Sequence, residues 1–246
     1  MSLEEHRPNH RLSGRRIVIT GAASGIGWRT TEVFAAEGAK LSLFDRSAEA
    51  LRDIAGRTRA EAFEVDVTDE AAVMRASETA ASRMGGIDGI VNAAGIVVRG
   101  PVGEVTAETY RRVLDVNLMG PYIVVRSCLK WLLESPSATI VNIASGQGLL
   151  PNSPEMTAYA ASKGGVVTLT RALAAELAPT VRVNSVCPGM VNTPMTNGGQ
   201  GDITPYAMKR VADPLEIAQV ILFLTGSESS FMTGAAIAVD GGRTFH

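Results

Sequence analysis

Short apolar runs alternate with longer segments of helical periodicity along the 246 residues of this chain. Seven apolar, mostly β-branched runs predict strands, at 17–20, 41–44, 63–65, 89–92, 139–143, 181–186 and 235–239. Helices are predicted between several of them, the first ending near residue 38 and others at about 69–84, 106–130, 159–178 and 214–224. Strands that are almost wholly apolar are typical of a parallel sheet covered on both faces. The pattern therefore predicts an α/β fold built on a doubly wound parallel β-sheet of about seven strands.

One domain accounts for the whole pattern. No linker, repeat or low-complexity segment divides the sequence, and its length suits one large domain. We expect a polar N-terminal tail at 1–13 and a single domain at 14–246. The stretch 190–212 is long, weakly patterned and rich in Gly, Asn, Thr and Pro, so we expect it to form a substrate lid loop.

Charge and composition exclude several classes of partner. The 23 basic and 25 acidic residues give a net charge of -2, which offers no footprint for nucleic acid or an anionic membrane. Met1–Arg11 lack the apolar core of a signal peptide, and no run of about 18 apolar residues could span a bilayer. Cys128 and Cys187 lie far apart in apolar segments, which favours reduced thiols. We therefore expect a cytoplasmic protein with a small-molecule substrate.

The histidines narrow the possible chemistry. His6, His10 and His246 all lie close to a terminus. A histidine-based triad or a histidine-ligated catalytic zinc needs imidazole inside the fold. The sequence therefore argues against serine–histidine hydrolases and zinc-dependent alcohol dehydrogenases, and it predicts no metal site.

A glycine-rich turn follows the first predicted strand and precedes a helix, at Thr20–Gly27. Gly21 suits a tight turn, while Gly25 and Gly27 would let the backbone approach a pyrophosphate. The helix N-terminus would then present free N–H groups to the phosphates. A purely structural turn would need glycines too, but the strand–turn–helix context favours a dinucleotide site.

An acidic residue ends the second predicted strand. Asp45 stands 18 residues after Gly27, where a carboxylate can accept hydrogen bonds from both hydroxyls of an adenine ribose. The same charge would repel a 2′-phosphate, so we predict NAD as the cofactor. Arg46 is adjacent and could pair with such a phosphate, so NADP stays the alternative.

A tyrosine and a lysine open the helix predicted at 159–178. Tyr159 and Lys163 are spaced i, i+4 and share one face. A free phenol has a pKa of about 10, and a nearby ammonium would favour the phenolate. Ser145 follows the fifth strand, at the sheet edge where ligands bind. Each residue alone could be helix decoration or an ordinary loop serine.

Taken together, these segments resemble the classical short-chain dehydrogenase/reductase family over nearly the whole chain. The further matches are Asp66-Val67, Asn92-Ala93-Ala94-Gly95, Asn117, Pro188-Gly189 with Thr193, and Val239-Asp240-Gly241-Gly242. Ala93 stands where the family usually has a second Asn, which is a mild departure. The resemblance implies a Rossmann-type fold, a nicotinamide cofactor and a homotetramer, with a dimer as the alternative.

The resemblance also implies a role for each matching residue. Tyr159 would be the general acid and base, and Lys163 would lower its pKa and hold the nicotinamide ribose. Ser145 would bind the substrate oxygen, and Asn117 would hold a water in a proton relay. Cofactor contacts are implied for Gly21, Ser24, Gly25, Ile26, Gly27, Asp45, Arg46, Asp66, Val67, Asn92, Ala93, Gly95, Tyr159, Lys163, Pro188, Gly189, Val191 and Thr193.

The substrate is the least determined feature. The candidate lining residues are Val97, Gln147, Leu149, Leu150 and, in the lid, Met190, Met195, Tyr206 and Met208. Methionines adapt to apolar ligands, so we expect a small, apolar secondary alcohol or ketone, although they could simply pack the lid on the core. The alternatives are a 3-oxoacyl-[acyl-carrier-protein] reductase using NADPH and a silent dinucleotide sensor. The complete set of catalytic residues argues against the sensor.

Overall fold

The sheet of this computed structural model, which describes residues 9–244, has seven parallel strands. They are β1 (Arg16–Thr20), β2 (Lys40–Asp45), β3 (Glu61–Glu64), β4 (Gly89–Asn92), β5 (Ala138–Ile143), β6 (Val181–Pro188) and β7 (Ala236–Val239). Their order across the sheet is β3-β2-β1-β4-β5-β6-β7, and every neighbouring pair is parallel. The predicted doubly wound, Rossmann-type sheet is confirmed. Because the strand order reverses beside β1, a crevice opens where β1 and β4 end.

Eight α-helices cover the two faces of the sheet in the described part of the chain. They are α1 (Gly25–Ala36), α2 (Ala48–Thr58), α3 (Glu70–Met84), α4 (Ala107–Leu114), α5 (Gly120–Glu134), α6 (Gly146–Leu149), α7 (Thr157–Leu177) and α8 (Pro214–Thr225). The sequence analysis did not predict α2, because only Leu51 and Ile54 of this charged segment are buried. It also missed the single turn α6, which is too short to have a period of its own.

The helix predicted at about 106–130 is interrupted. Between α4 and α5 the backbone forms a π-helical turn at Asp115–Met119, and Asn117 within it is fully buried. Such π-turns are often found at functional sites. Thr106 caps α4 by accepting a hydrogen bond from the backbone N–H of Thr109 at 3.1 Å.

The core forms two apolar layers, one on each face of the sheet. One layer packs β-strand residues against α3, α5 and α7, and the other packs them against α1, α2 and α8. Leu12 belongs to the second layer and is fully buried, and its N–H donates to the Glu37 carbonyl at 3.1 Å. The described end of the segment expected as a tail, residues 9–13, thus packs on the domain. Residues 1–8, including His6, lie outside the described residues, as does His246.

Two further expectations concern membrane-spanning helices and the cysteines. Within residues 9–244, no helix is long and apolar enough to cross a membrane. Cys128 and Cys187 are both free and buried.

Candidate active site

The glycine-rich turn between β1 and α1 is too crowded for side chains. Gly21 has φ +66°, and a Cβ on it would lie 2.6 Å from the backbone nitrogen of Ala94. A Cβ on Gly27 would lie 2.1 Å from the carbonyl oxygen of Gly21. Ser24 makes no side-chain capping bond to α1, and Gly25, Ile26 and Gly27 of its uncapped first turn line the crevice. This turn can present backbone donors to a pyrophosphate.

A cleft of about 290 Å³ runs along the carboxyl edge of the sheet from this turn to α7. It is lined by most of the predicted residues: Gly21, Ser24, Gly25, Ile26, Gly27, Asp45, Arg46, Asp66, Val67, Ala93, Gly95, Ser145, Tyr159, Lys163, Pro188, Gly189, Val191 and Thr193. Segments that are far apart in sequence therefore meet in one elongated site.

Asn92 and Asn117 were predicted at this site but do not line the cleft. The Asn92 amide donates to Asn142 Oδ1 at 2.9 Å beneath the sheet edge. The Asn117 amide accepts from the Ile96 N–H at 2.8 Å and donates to the Ile96 carbonyl at 2.9 Å. The Asn92 side chain thus joins β4 to the Asn142 side chain of β5, and the Asn117 side chain holds the backbone of the loop that follows β4.

Asp45 is held at the end of the cleft beside β2. Its Oδ2 accepts from the Ala23 N–H at 3.1 Å and its Oδ1 from the Ser47 N–H at 3.0 Å. A carboxylate oxygen accepts more than one hydrogen bond, so each oxygen keeps capacity for a ribose hydroxyl. Arg46 lines the same end and is exposed. The donor and acceptor groups present fit an adenine ribose and the pyrophosphate beside it.

Arg112 is a lining residue that the sequence analysis missed. Its Nη2 donates to Asp66 Oδ2 at 3.0 Å, and Thr68 donates to Oδ1 through its N–H and its hydroxyl. Partial burial opposes ionisation, but the hydrogen bonds from Thr68 and Arg112 outweigh it and lower the pKa of Asp66. The partners lie on different elements, so no local spacing signals this pair.

Tyr159, Ser145 and Lys163 meet at the other end of the cleft. The Ser145 hydroxyl hydrogen-bonds the Tyr159 phenol and accepts from the Gln147 N–H at 3.1 Å. Lys163 is buried, and its Nζ donates to the Ile143 carbonyl at 2.7 Å. The same Nζ lies 5.8 Å from the centroid of the Tyr159 ring. The predicted i, i+4 arrangement is therefore present on α7.

The electrostatics of this cluster differ from the expectation. Burial raises the pKa of Tyr159, and the hydrogen bond from Ser145 and the charge of Arg99 offset only part of that rise. Burial also lowers the pKa of Lys163 to about 8. The expected lowering of the phenol pKa by Lys163 is thus not found in the protein alone. The ammonium is aimed at the Ile143 carbonyl, which explains its weak effect on the phenol.

Two further cavities lie on the side of the segment 190–212, and Tyr159 lines the inner one. The inner cavity, of about 110 Å³, is lined by Ser145 and Tyr159 together with Val97, Gln147, Met190, Met195 and Tyr206, as predicted, and by Arg99, Ser153, Met156 and Arg243. The outer cavity, of about 480 Å³, continues it under the lid. Leu149, Leu150 and Met208 do not line either cavity, and Met208 is exposed. Arg243 lies 98 residues after Ser145, and no sequence signal pointed to it.

Comparison with known proteins assigns the family. Residues 21–244 match the family model described as enoyl-(acyl carrier protein) reductase. The chain is 38% identical to a 3-oxoacyl-[acyl-carrier-protein] reductase of Thermotoga maritima, covering 94% of this chain and 98% of that protein. It is 39% identical to a meso-2,3-butanediol dehydrogenase of Serratia marcescens, covering 95% and 96% respectively.

Solved structures agree. A 3-ketoacyl-(acyl-carrier-protein) reductase from Brucella melitensis, complexed with NADH, superposes with a TM-score of 0.90 at 34% identity, covering 95% of this chain and all of that one (100%). Members of this family are nicotinamide-dependent oxidoreductases that act on alcohol and ketone groups. This chain therefore belongs to the classical short-chain dehydrogenase/reductase family.

Proposed function

We propose that this protein is an NAD-dependent oxidoreductase that interconverts a small secondary alcohol and the corresponding ketone, with Tyr159 as general acid and base. One observation carries the proposal: Ser145 and Tyr159 line both the dinucleotide cleft and the inner cavity. A substrate in the inner cavity and a cofactor in the cleft would share these two hydroxyl groups. Proton transfer and hydride transfer could then occur at one carbon.

Tyr159 and Ser145 would act on the substrate oxygen. The Tyr159 oxygen takes the hydroxyl proton during oxidation and returns it during reduction. The Ser145 hydroxyl donates to the same oxygen and stabilises the charge that develops on it. When bound, the nicotinamide supplies the hydride acceptor or donor. Pro188, Gly189 and Thr193 line the cleft where they would hold the carboxamide.

Lys163 and Asn117 would support the tyrosine. Lys163 has three N–H donors and spends one on Ile143, so two are available for the ribose hydroxyls of the cofactor. A cationic ring bound beside the phenol would add the positive charge that Tyr159 lacks in the protein alone. The Asn117 side chain is occupied by Ile96 and Ser162, so we propose that it acts indirectly, by holding the loop beside Lys163 where a proton-relaying water would bind.

NAD is favoured over NADP by the position of Asp45. Its carboxylate, held by two backbone amides, would lie beside the 2′-hydroxyl of a bound adenine ribose, and so beside the 2′-phosphate of NADP. The repulsion between them would be strong at this short range. Arg46 is exposed and could move toward such a phosphate, so it sets how strict the preference is.

A 3-oxoacyl-[acyl-carrier-protein] reductase using NADPH is the second candidate. Its support is the 38% identity to the Thermotoga maritima enzyme of that name. Asp45 argues against the cofactor of this candidate. The two candidates differ in the substrate that each would turn over, which is a thioester of a carrier protein in one case and a free alcohol or ketone in the other.

We also propose a homotetramer. Met119, Tyr122 and Leu133 on or beside α5 are each more than 40% exposed, although they are large and apolar. Exposed apolar side chains on one helix are typical of a surface that associates. The expectation of a cytoplasmic location remains a prediction.

A substrate screen tests the proposed activity. Secondary alcohols and ketones are offered with NAD(H) and with NADP(H), and the absorbance of the reduced nicotinamide is followed. We expect turnover with NAD, and a loss of about 10²- to 10⁴-fold for Tyr159→Phe with unchanged NAD binding. Tyr110→Phe is the matched control, because Tyr110 lies on α4 and lines neither the cleft nor the cavities. Full activity of Tyr159→Phe would refute the acid–base role.

A further inference from the structure

Arg243 is a buried cation whose partners are all neutral. Its side chain is only 5% exposed. It donates to the Leu150 carbonyl at 3.5 Å, to Ser153 Oγ at 3.2 Å and to Asn152 Oδ1. Among residues 9–244, no carboxylate forms an ion pair with it. A guanidinium withdrawn from water is costly to bury without an anion, so its position calls for a negatively charged partner.

The guanidinium lies next to the proposed reaction centre. Arg243 lines the inner cavity together with Ser145 and Tyr159. Gly146 follows Ser145 directly, and a Cβ built on Gly146 would lie 3.5 Å from Arg243 Nη1. A substrate whose oxygen meets Ser145 and Tyr159 would therefore bring its other groups within reach of Arg243.

The charged residues that line the inner cavity are all cationic. Its lining includes Arg99 and Arg243 but no Asp or Glu. Arg99 is exposed at the rim, and its charge acts on the Tyr159 phenol. The outer cavity adds Glu155 and Asp202, so the positive character is confined to the region near Tyr159.

The acidic residue nearest to Arg243 in sequence, Asp240, already accepts hydrogen bonds from other groups. The Asp240 carboxylate accepts hydrogen bonds from the backbone N–H groups of Gly242, Arg243 and Thr244 and from the Thr244 hydroxyl. These bonds fix the turn that carries Arg243. The guanidinium itself points away, toward Asn152 and Ser153.

Ser153 adds a neutral donor beside the cation. Its Oγ accepts from Gln147 Nε2 and from Arg243 Nη2, so its own proton is free to donate. Gln147 is buried, and within the described chain its Oε1 has no hydrogen-bond partner. Arg243 and Ser153 together present the donors that a carboxylate oxygen accepts, and Gln147 offers an acceptor for a second polar group.

We propose that the substrate is a small hydroxy acid, or the matching oxo acid, whose carboxylate binds Arg243 and Ser153 while its alcohol carbon faces Tyr159. This inference rests on the proposed function and specifies its substrate class. A monoanion suits the single buried cation. Because Nη2 already donates to Asn152 and Ser153, the carboxylate would be held by the remaining donors of the guanidinium and by the Ser153 hydroxyl. Tyr159 and Arg243 both line the inner cavity of about 110 Å³, which suits a short carbon chain between the alcohol and the carboxylate. The expected apolar substrate is thus revised to one with an apolar chain and a charged end.

The first test compares acids with their uncharged esters. The probes are 2-, 3- and 4-hydroxy acids of four or five carbons and the corresponding methyl esters, assayed with NAD. We expect kcat/KM for one acid to exceed that of its ester by about 10-fold or more, because hydrogen bonds between charged groups are stronger than those to a neutral ester. Arg243→Gln should reduce that ratio by a similar factor. Arg52→Gln, at an exposed site on α2, should leave the ratio unchanged.

The second test measures binding without turnover. Butanoate and butanamide are added to the cofactor-free protein at equal ionic strength, and the shift in its melting temperature is recorded. Butanoate should stabilise the wild-type protein and not Arg243→Gln, whereas butanamide should stabilise neither. Arg243→Lys keeps the charge and should recover part of the shift. If Arg243→Gln does not fold, the acid–ester and butanoate–butanamide comparisons on the wild type decide whether the protein has a carboxylate site.

The outcomes separate this inference from the proposed function. Turnover of neutral alcohols with esters preferred over acids, and no butanoate binding, would overturn the carboxylate site and leave the oxidoreductase proposal intact. Arg243-dependent butanoate binding without turnover of any alcohol would support the site and refute the proposed activity.

Discussion

The Lys163 ammonium donates a 2.7 Å hydrogen bond to the main-chain carbonyl of Ile143, the last residue of β5. This bond ties α7 to the carboxyl edge of the sheet and aims the ammonium along the cleft. It leaves the Nζ 5.8 Å from the centre of the Tyr159 ring. In the protein alone, Lys163 is therefore a buried cation held by a neutral oxygen, and its pKa falls to about 8.

The lowered pKa of Lys163 predicts how stability depends on pH. The folded state binds fewer protons than the unfolded state between about pH 8 and the ordinary lysine pKa of 10.5. The contribution of Lys163 to the free energy of unfolding is thus full above pH 10.5 and is lost as the pH falls to 8. Lys163→Met should lack this contribution. Urea denaturation of both proteins from pH 7 to 10 should show the free energy of unfolding of the wild type rising relative to that of Lys163→Met as the pH rises. A constant difference would contradict the lowered pKa.

Ser145→Ala should raise the pKa of Tyr159 further. The hydrogen bond from Ser145 is the largest influence that lowers this pKa, and burial already outweighs it. We expect the rise of kcat/KM for alcohol oxidation to move to higher pH, and kcat to fall about 10²- to 10³-fold. Ser145→Thr retains a hydroxyl and should keep the wild-type onset. The pH profiles of the three proteins at saturating NAD provide the measurement, and an unshifted profile for Ser145→Ala would speak against the hydrogen bond.

Asp45→Asn should weaken the discrimination between the two dinucleotides. The amide has one acceptor oxygen in place of two and carries no charge, so ribose binding weakens and phosphate repulsion disappears. We expect the Kd for NAD to rise about 10-fold and the preference for NAD over NADP to shrink. Tryptophan fluorescence titration measures both constants. Asp53→Asn, at an exposed site on α2, is the control. Equal affinities of the wild type for NAD and NADP would refute the role of Asp45.

Glu216→Gln should destabilise the domain at neutral pH but not in acid. Hydrogen bonds from Arg210 at 2.6 and 2.7 Å, and one from the Asp213 N–H at 2.8 Å, lower the pKa of Glu216 to about 2. A carboxylate with a lowered pKa stabilises the folded state above its ordinary pKa of 4.5 and loses that effect as the pH falls toward 2.

We therefore expect Glu216→Gln to reduce the free energy of unfolding by about 0.2–1 kcal/mol at pH 7, because the partly exposed ion pair with Arg210 is lost while glutamine can still accept from the Asp213 N–H. The difference from the wild type should narrow at pH 3. Denaturation at both pH values, with Glu49→Gln at the exposed first turn of α2 as control, provides the check. If the difference in the free energy of unfolding stays the same at pH 3, the ionised Glu216 side chain is not its source.

The sequence alone determined the sheet and most of the cleft. Five of the parallel strands, β1, β2, β4, β5 and β6, are buried along almost their whole length, so their apolar runs are visible without any partner. The glycines of the first turn are required locally, as the contacts at Gly21 and Gly27 show. The spacing of Tyr159 and Lys163 fixes their shared helix face. Such features depend on backbone geometry and on residues close in sequence, which is why a single sequence reveals them.

Only the tertiary structure decided the charge environment of the site. Arg243 reaches the region of Ser145 across 98 residues, and Arg112 meets Asp66 from a different element. The same packing buries Tyr159 and turns Lys163 toward Ile143, which raises the phenol pKa where the sequence suggested a lower one. Burial and through-space charge sum over all neighbours, whatever their separation along the chain. No local sequence pattern encodes that sum, so the pKa values at the site can be inferred only from the folded structure.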